Sequence, residues 1–182
     1  MDALIRAAYG LDMEQPQTTP TANPQPLVLD AEFVLDTIRK RSFATLATTS
    51  SEGWPHAAGV LYGASGGSLY VSTMRGSRKA RNVIDNPKVA VTVPVRRSPV
   101  GPPSTIIFQS TARVLDLDDP GLQAAAATGE LKSVTSHGEL ELPGGVFIEV
   151  ALPRKVVTYG LGMSLLSLMR DPMHAAGVAH LG

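Results

Sequence analysis

The sequence predicts a mainly β domain, a six-stranded antiparallel barrel with short helices. Short runs rich in β-branched and aromatic residues recur between Gly, Pro, Asn and Asp turn signals. These runs follow one another too closely for the helical crossovers of parallel pairing, so a doubly wound nucleotide fold is set aside. At 182 residues the chain can bury a core large enough to fold without staples.

The elements follow in order. Residues 13–28 hold four prolines with Gln and Thr and read as a flexible linker behind an N-terminal arm, so 1–28 is expected to stand outside the folded domain. Asp30 is an N-cap for a helix to about Lys40, with Phe33, Val34 and Ile38 as its apolar stripe. Phe43–Thr49 and His56–Tyr62 form a hairpin across the Ser51-Glu52-Gly53 turn, and Ser68–Thr73 adds a third strand. A short helix over 77–85 closes at Asn86-Pro87, after which Val89, Val91 and Val93 alternate in a fourth strand ending at Pro94. A loop with Pro99, Pro102 and Pro103 leads to a fifth strand, Thr105–Leu115. Asp118-Asp119-Pro120 caps an Ala-rich helix, and Val146–Val150 is the sixth strand. The barrel domain is placed at 29–160. Residues 161–182 form a C-terminal helix and tail, whose apolar run Leu161–Met169 is read as core or subunit contact.

Composition excludes several chemistries. There is no cysteine, hence no disulfide, thiolate nucleophile or cysteine-ligated metal, and redox work would need a cofactor. Lys plus Arg equals Asp plus Glu at 16 each, which gives no long-range pull toward nucleic acid or an anionic membrane. No apolar run reaches the roughly eighteen residues of a membrane span. A cytoplasmic protein is expected. The four histidines show no metal-ligand spacing, and no metal site is assigned.

The most informative segment is Met74-Arg75-Gly76-Ser77-Arg78-Lys79-Ala80-Arg81-Asn82. A Gly-Ser turn here opens a helix whose first turn carries two cations, although a helix N-terminus is already partially positive. A bound anion would reverse that cost. Free backbone N–H groups, the Ser77 hydroxyl, the Arg78 fork and the Lys79 ammonium together suit a phosphate, and Gly76 allows close approach. A solvated, mildly strained helix end explains the same residues without a ligand. Likewise Ala57-Ala58-Gly59 reads from composition as close strand packing.

The stretch LYVSTMRGSRKARNVIDNPKVAVTV resembles the flavin-phosphate segment of the pyridoxamine phosphate oxidase-like split-barrel flavoproteins, and the resemblance extends from Asp30 to about Leu152. It implies a split β-barrel of the FMN-binding type and a homodimer with its ligand in the dimer groove. In that family the Ser-Arg-Lys stretch grips the FMN phosphate, which carries over to Ser77, Arg78 and Lys79. The family's ring and ribityl positions on the second and third strands fall on Ala57, Ala58, Gly59, Val60, Leu61 and Tyr62, with Ser72 and Thr73. Small residues at 57–59 would leave room for a flat ring, and Asn82 is expected to support Lys79.

The chain departs from true pyridoxamine phosphate oxidases. It lacks their C-terminal Arg-x-His element, and Tyr62 stands where a substrate-contacting Lys is found, so no pyridoxamine phosphate oxidase activity is expected. Some related split barrels use the deazaflavin coenzyme F-420 or handle haem, and Arg75, Arg96 and Arg97 are candidates for an additional anionic tail. The expectation is a flavin-dependent oxidoreductase passing a hydride between FMN and a small organic substrate. An F-420-dependent reductase or a non-catalytic flavin or haem carrier is the alternative. No catalytic side chain is assigned.

Overall fold

The computed structural model describes residues 25–96 and 104–182. The N-terminal arm, most of the Pro-rich linker, Arg97 and the loop prolines therefore lie outside the described residues. Ten strands are described where six are expected: β1 (Leu27–Val28), β2 (Phe43–Thr49), β3 (Pro55–Leu61), β4 (Gly63–Ser65), β5 (Ser68–Met74), β6 (Lys88–Val95), β7 (Ser104–Leu115), β8 (Gly145–Ala151), β9 (Lys155–Tyr159) and β10 (Ala176–His180). Four short helices accompany them: α1 (Ala31–Arg39), α2 (Arg78–Asp85), α3 (Pro120–Ala127) and α4 (Leu165–Arg170).

The sheet runs β3-β2-β6-β7 and then forks. The first residues of β7, Thr105–Ile107, pair with β9, which leads on to β10 and β1. Its last residues, Ala112–Leu115, pair with β8, which leads on to β5 and β4. One 12-residue strand thus serves two sheet arms, and the sheet curls into the half-barrel of a split-barrel fold. Leu46, Val91, Ile106, Ile148 and Val156 from both arms meet in one core. Helix α1 adds Val34 and Ile38 to that core, while Phe33 of the expected stripe stays 46% exposed. Asp30 caps α1 through the Phe33 amide, as its position predicts.

Of the four strands not expected from sequence, β1 and β4 are two and three residues long and β10 is built of small residues, whereas β9 (KVVTY) is rich in strand formers. Leu27–Val28, assigned to the linker, pairs in parallel with β10. Strand β10, assigned to the tail, reads AGVAH, whose small residues carry little strand signal. Pro94 also falls inside β6, opposite Thr105. It lies beyond the last residue paired with β2, Thr92, so its missing N–H costs no ladder bond on that side. No helix among the described residues is long and apolar enough to cross a membrane.

A second cluster, formed by Tyr70, Leu115, Leu122, Leu131, Val134 and Phe147, packs α3 and the turn at 132–134 onto β5 and β8. Through this cluster the 128–144 segment, which carries no interpretable motif, is brought beside the end of β3.

Candidate functional site

Strand β3 leaves Ala57, Gly59 and Leu61 on its outer side and sends Ala58 and Val60 toward the core. Alternation with period two divides the predicted run 57–62, because neighbouring side chains must point opposite ways. Tyr62 is fully buried; its hydroxyl donates to the Ile38 carbonyl at 2.7 Å. Its own carbonyl accepts from Ser133 Oγ at 2.7 Å, and its amide donates to the Ser42 carbonyl. Burial pushes the phenol well above its ordinary pKa, opposed by the nearby Arg41 charge. Every polar group of Tyr62 is thus engaged in the fold.

Ser77 caps α2. Its Oγ accepts from the Ala80 amide at 3.3 Å and from Thr73 Oγ1 at 3.1 Å. With both lone pairs occupied, the Ser77 proton is left to donate outward. The first turn of α2 contains no acidic residue, and its leading amides have no acceptor within the helix. The side chains of Ser72, Thr73, Ser77 and Lys79 are all partly exposed.

Gly59, Val60, Leu61, Ser72 and Lys79 line one groove of about 270 Å³, together with Ser133, Val134 and Glu139. Residues predicted from three separate stretches thus converge. Arg78 leaves the helix on another side, into a recess of about 420 Å³ lined by Trp54, His56, Arg81, Asn82 and Asp85 among others. Arg78 and Lys79 are therefore not brought to one pocket; they flank the start of α2. Neither forms an ion pair with any described residue. Arg75, considered for an anionic tail, is paired with Asp116.

Two findings revise the expected site. The room at Gly59 is not open: a Cβ there would stand 3.0 Å from Phe43 Cζ, so the Phe43 ring covers the glycine. Asn82 is buried, and its Nδ2 donates to Thr48 Oγ1 at 2.9 Å. Its contact with the body of the barrel thus positions α2.

Ser133, Val134 and Glu139 carry no periodic signal and reach the groove only through tertiary packing. Glu139 Oε2 accepts from the His137 amide at 2.8 Å. That backbone hydrogen bond holds the carboxyl below its usual pKa, so the groove contains a carboxylate as well as Lys79.

Solved structures of similar fold include the heme storage protein HutZ from Vibrio cholerae, at 18% identity and TM-score 0.59, covering 70% of this chain and 94% of that one. A heme-binding protein from Mycobacterium smegmatis aligns at 20% identity and TM-score 0.57 over 72% of this chain. The match spans 55% of that longer protein. General Stress Protein 26 from Bacillus anthracis aligns at 22% identity and TM-score 0.51, covering 70% of this chain and 92% of that one. At such identities the likeness is one of fold. Comparison with curated protein sequences gave no match. The family model described as pyridoxamine 5'-phosphate oxidase matches residues 31–151, a span that includes β2, β3, β5, α2 and the whole groove, and the chain belongs to this pyridoxamine 5'-phosphate oxidase-like split-barrel family.

Proposed function

We propose that this protein binds a flavin nucleotide, FMN, at the groove between β3, β5 and α2, and acts as a cytoplasmic flavin-dependent oxidoreductase on a small organic substrate. The observation that carries the reading is the convergence of Gly59, Leu61, Ser72 and Lys79 on one groove beside the capped start of α2. The donor set fits a phosphate monoester: an ammonium without an ion-pair partner among the described residues, an outward hydroxyl proton on Ser77 and the leading amides of a helix. Arg78 adds a fork from the other side. When bound, the flavin supplies the hydride chemistry. The chain's own part is to hold the phosphate and exclude water, with the exposed Leu61 as an apolar wall.

The groove, at about 270 Å³, is smaller than the roughly 300–1,000 Å³ of small-molecule sites and open on one side. We propose that a second copy supplies the missing wall. The outer sheet face supports this. Gly59, Thr45, Thr92, Ile107 and Val157 form one cross-strand row over five strands, with Ala57, Ala47, Ala90 and Gln109 in the row beside it. Both rows are uncharged, whereas an outer antiparallel face ordinarily turns polar toward water.

Titration of the purified protein with FMN, coenzyme F-420 and haem in turn tests the reading, comparing wild type with Lys79→Ala and Arg78→Ala/Lys79→Ala. Saturable FMN binding that weakens at least about tenfold in the double variant is expected, since two charge-assisted contacts are lost. A preference for F-420 or haem would keep the site and change its occupant. Absence of binding by all three would overturn the proposal.

A further inference from the structure

We propose that a second pocket, separate from the groove at α2, binds the carboxylate or phosphate of a small aromatic anion. Its walls are Lys40, Arg41, Ser42, Phe43, Pro94 and Arg96, enclosing about 390 Å³. Three of these six are cations and none is a carboxylate, in a chain whose formal net charge is zero. The concentration is therefore local. The other recesses with more than one cation, or with Lys79, differ: the Lys79 groove includes Glu139, the Arg78 recess includes Glu52 and Asp85, and the recess with Arg39 and Arg154 includes Glu130.

Two features of the arginines suit an anion. Arg41 Nε is buried and has no hydrogen-bond partner. Burial of Nε fixes the root of the guanidinium, while its outer N–H groups, engaged by no hydrogen bond or ion pair with a described residue, are the donors an anion in the pocket would meet. Arg96 is exposed at the end of β6 and forms no ion pair with any described residue. Lys40 is partly neutralised by Asp36 at 2.7 Å, which leaves the two arginines as the principal donors. Planar guanidinium forks suit carboxylate and phosphate oxygens.

The remaining walls select the body of the ligand. Phe43 is 47% exposed, the tip of its ring lies against Gly59, and Pro94 adds a second apolar surface. A planar apolar group would stack there while its anionic substituent met Arg41 and Arg96. Because Gly59 also lines the Lys79 groove, the Phe43 ring forms the boundary between the two sites, and a molecule held here would lie next to whatever occupies the groove.

Phenyl phosphate is the probe, added to the full-length protein in solution and followed by amide chemical shifts, with inorganic phosphate and phenol as controls. Saturable shifts at Ser42, Phe43 and Arg96 are expected, with affinity about tenfold weaker in Arg96→Ala and unchanged in Lys79→Ala. Inorganic phosphate and phenol should each bind more weakly. Since Arg41→Gln removes a half-buried side chain and could unfold the protein, Phe43→Ala serves as the second variant and should weaken phenyl phosphate but not inorganic phosphate. Shifts confined to Ser72 and Lys79 and abolished by Lys79→Ala, or no saturation at millimolar probe, would overturn the proposal. Both outcomes are independent of FMN binding.

Discussion

Asn82 and Thr48 meet inside the protein: the Asn82 amide donates to Thr48 Oγ1 at 2.9 Å, with the residues 5% and 2% exposed. Thr48 Oγ1 in turn lies 3.4 Å from the His56 carbonyl. This short chain fastens α2 to the β2–β3 hairpin, and with it the position of Ser77 and Lys79 relative to Gly59 and Leu61. Removing the amide leaves a buried hydroxyl short of a partner. Asn82→Ala should cost about 1–3 kcal/mol in urea unfolding and lower Tm by several degrees.

Ser77 has two roles that can be separated. Ser77→Ala removes the N-cap and should destabilise by about 0.5–2 kcal/mol. Ser77→Asp keeps an acceptor for the Ala80 amide and places a carboxylate where the helix dipole and two cations favour it, so stability should match or exceed wild type. The same carboxylate would repel a phosphate. Thermal melts together with FMN titration should show Ser77→Asp stable and binding-deficient; unchanged FMN affinity would count against phosphate at this helix start.

Glu139 offers a charge test of the groove. Its folded pKa is depressed by the His137 amide, so its contribution to stability is present above the unfolded pKa and is lost as pH falls through the folded value. Glu139→Gln should therefore lose less stability than wild type between pH 7 and pH 3, by a few tenths of a kcal/mol given solvent screening. Urea unfolding at the two pH values measures it. At neutral pH the variant should bind FMN more tightly, because one negative charge has left the groove that contains Lys79.

The uncharged outer face predicts a dimer that one charge can break. Ile107 lies in the cross-strand row between Thr92 and Val157 and is 39% exposed, so Ile107→Glu should leave the fold intact. Light scattering after gel filtration should report a dimer for wild type and a monomer for the variant, with FMN affinity reduced in parallel. A monomeric wild type would remove the second wall proposed for the groove.

The glycine at 160 tests the closure of the C-terminal arm. It adopts φ +67°, and a Cβ would stand 2.8 Å from Leu168 Cδ2. Gly160→Ala should destabilise by more than about 1 kcal/mol, through backbone strain and a displaced core leucine.

Local signals were legible wherever one segment was enough to determine them. Asp30 and Asp119 cap their helices as their positions predict, and the main barrel strands follow the alternation of their own residues. The sequence by itself thus determined the β-rich class, the order of the main strands, the cationic start of α2 and, through its resemblance, the family.

Only the tertiary structure decided which of these residues share a site. The pleat turned Val60 and Tyr62 away from Leu61, helix geometry sent Arg78 and Lys79 to different pockets, and long-range packing brought Glu139 to Lys79 and the Phe43 ring onto Gly59. Spacing along the chain encodes the direction of a side chain within its own element. It does not encode what another element, 71 residues away in the case of Tyr62 and Ser133, will place against it, because that is decided by burial of the shared core.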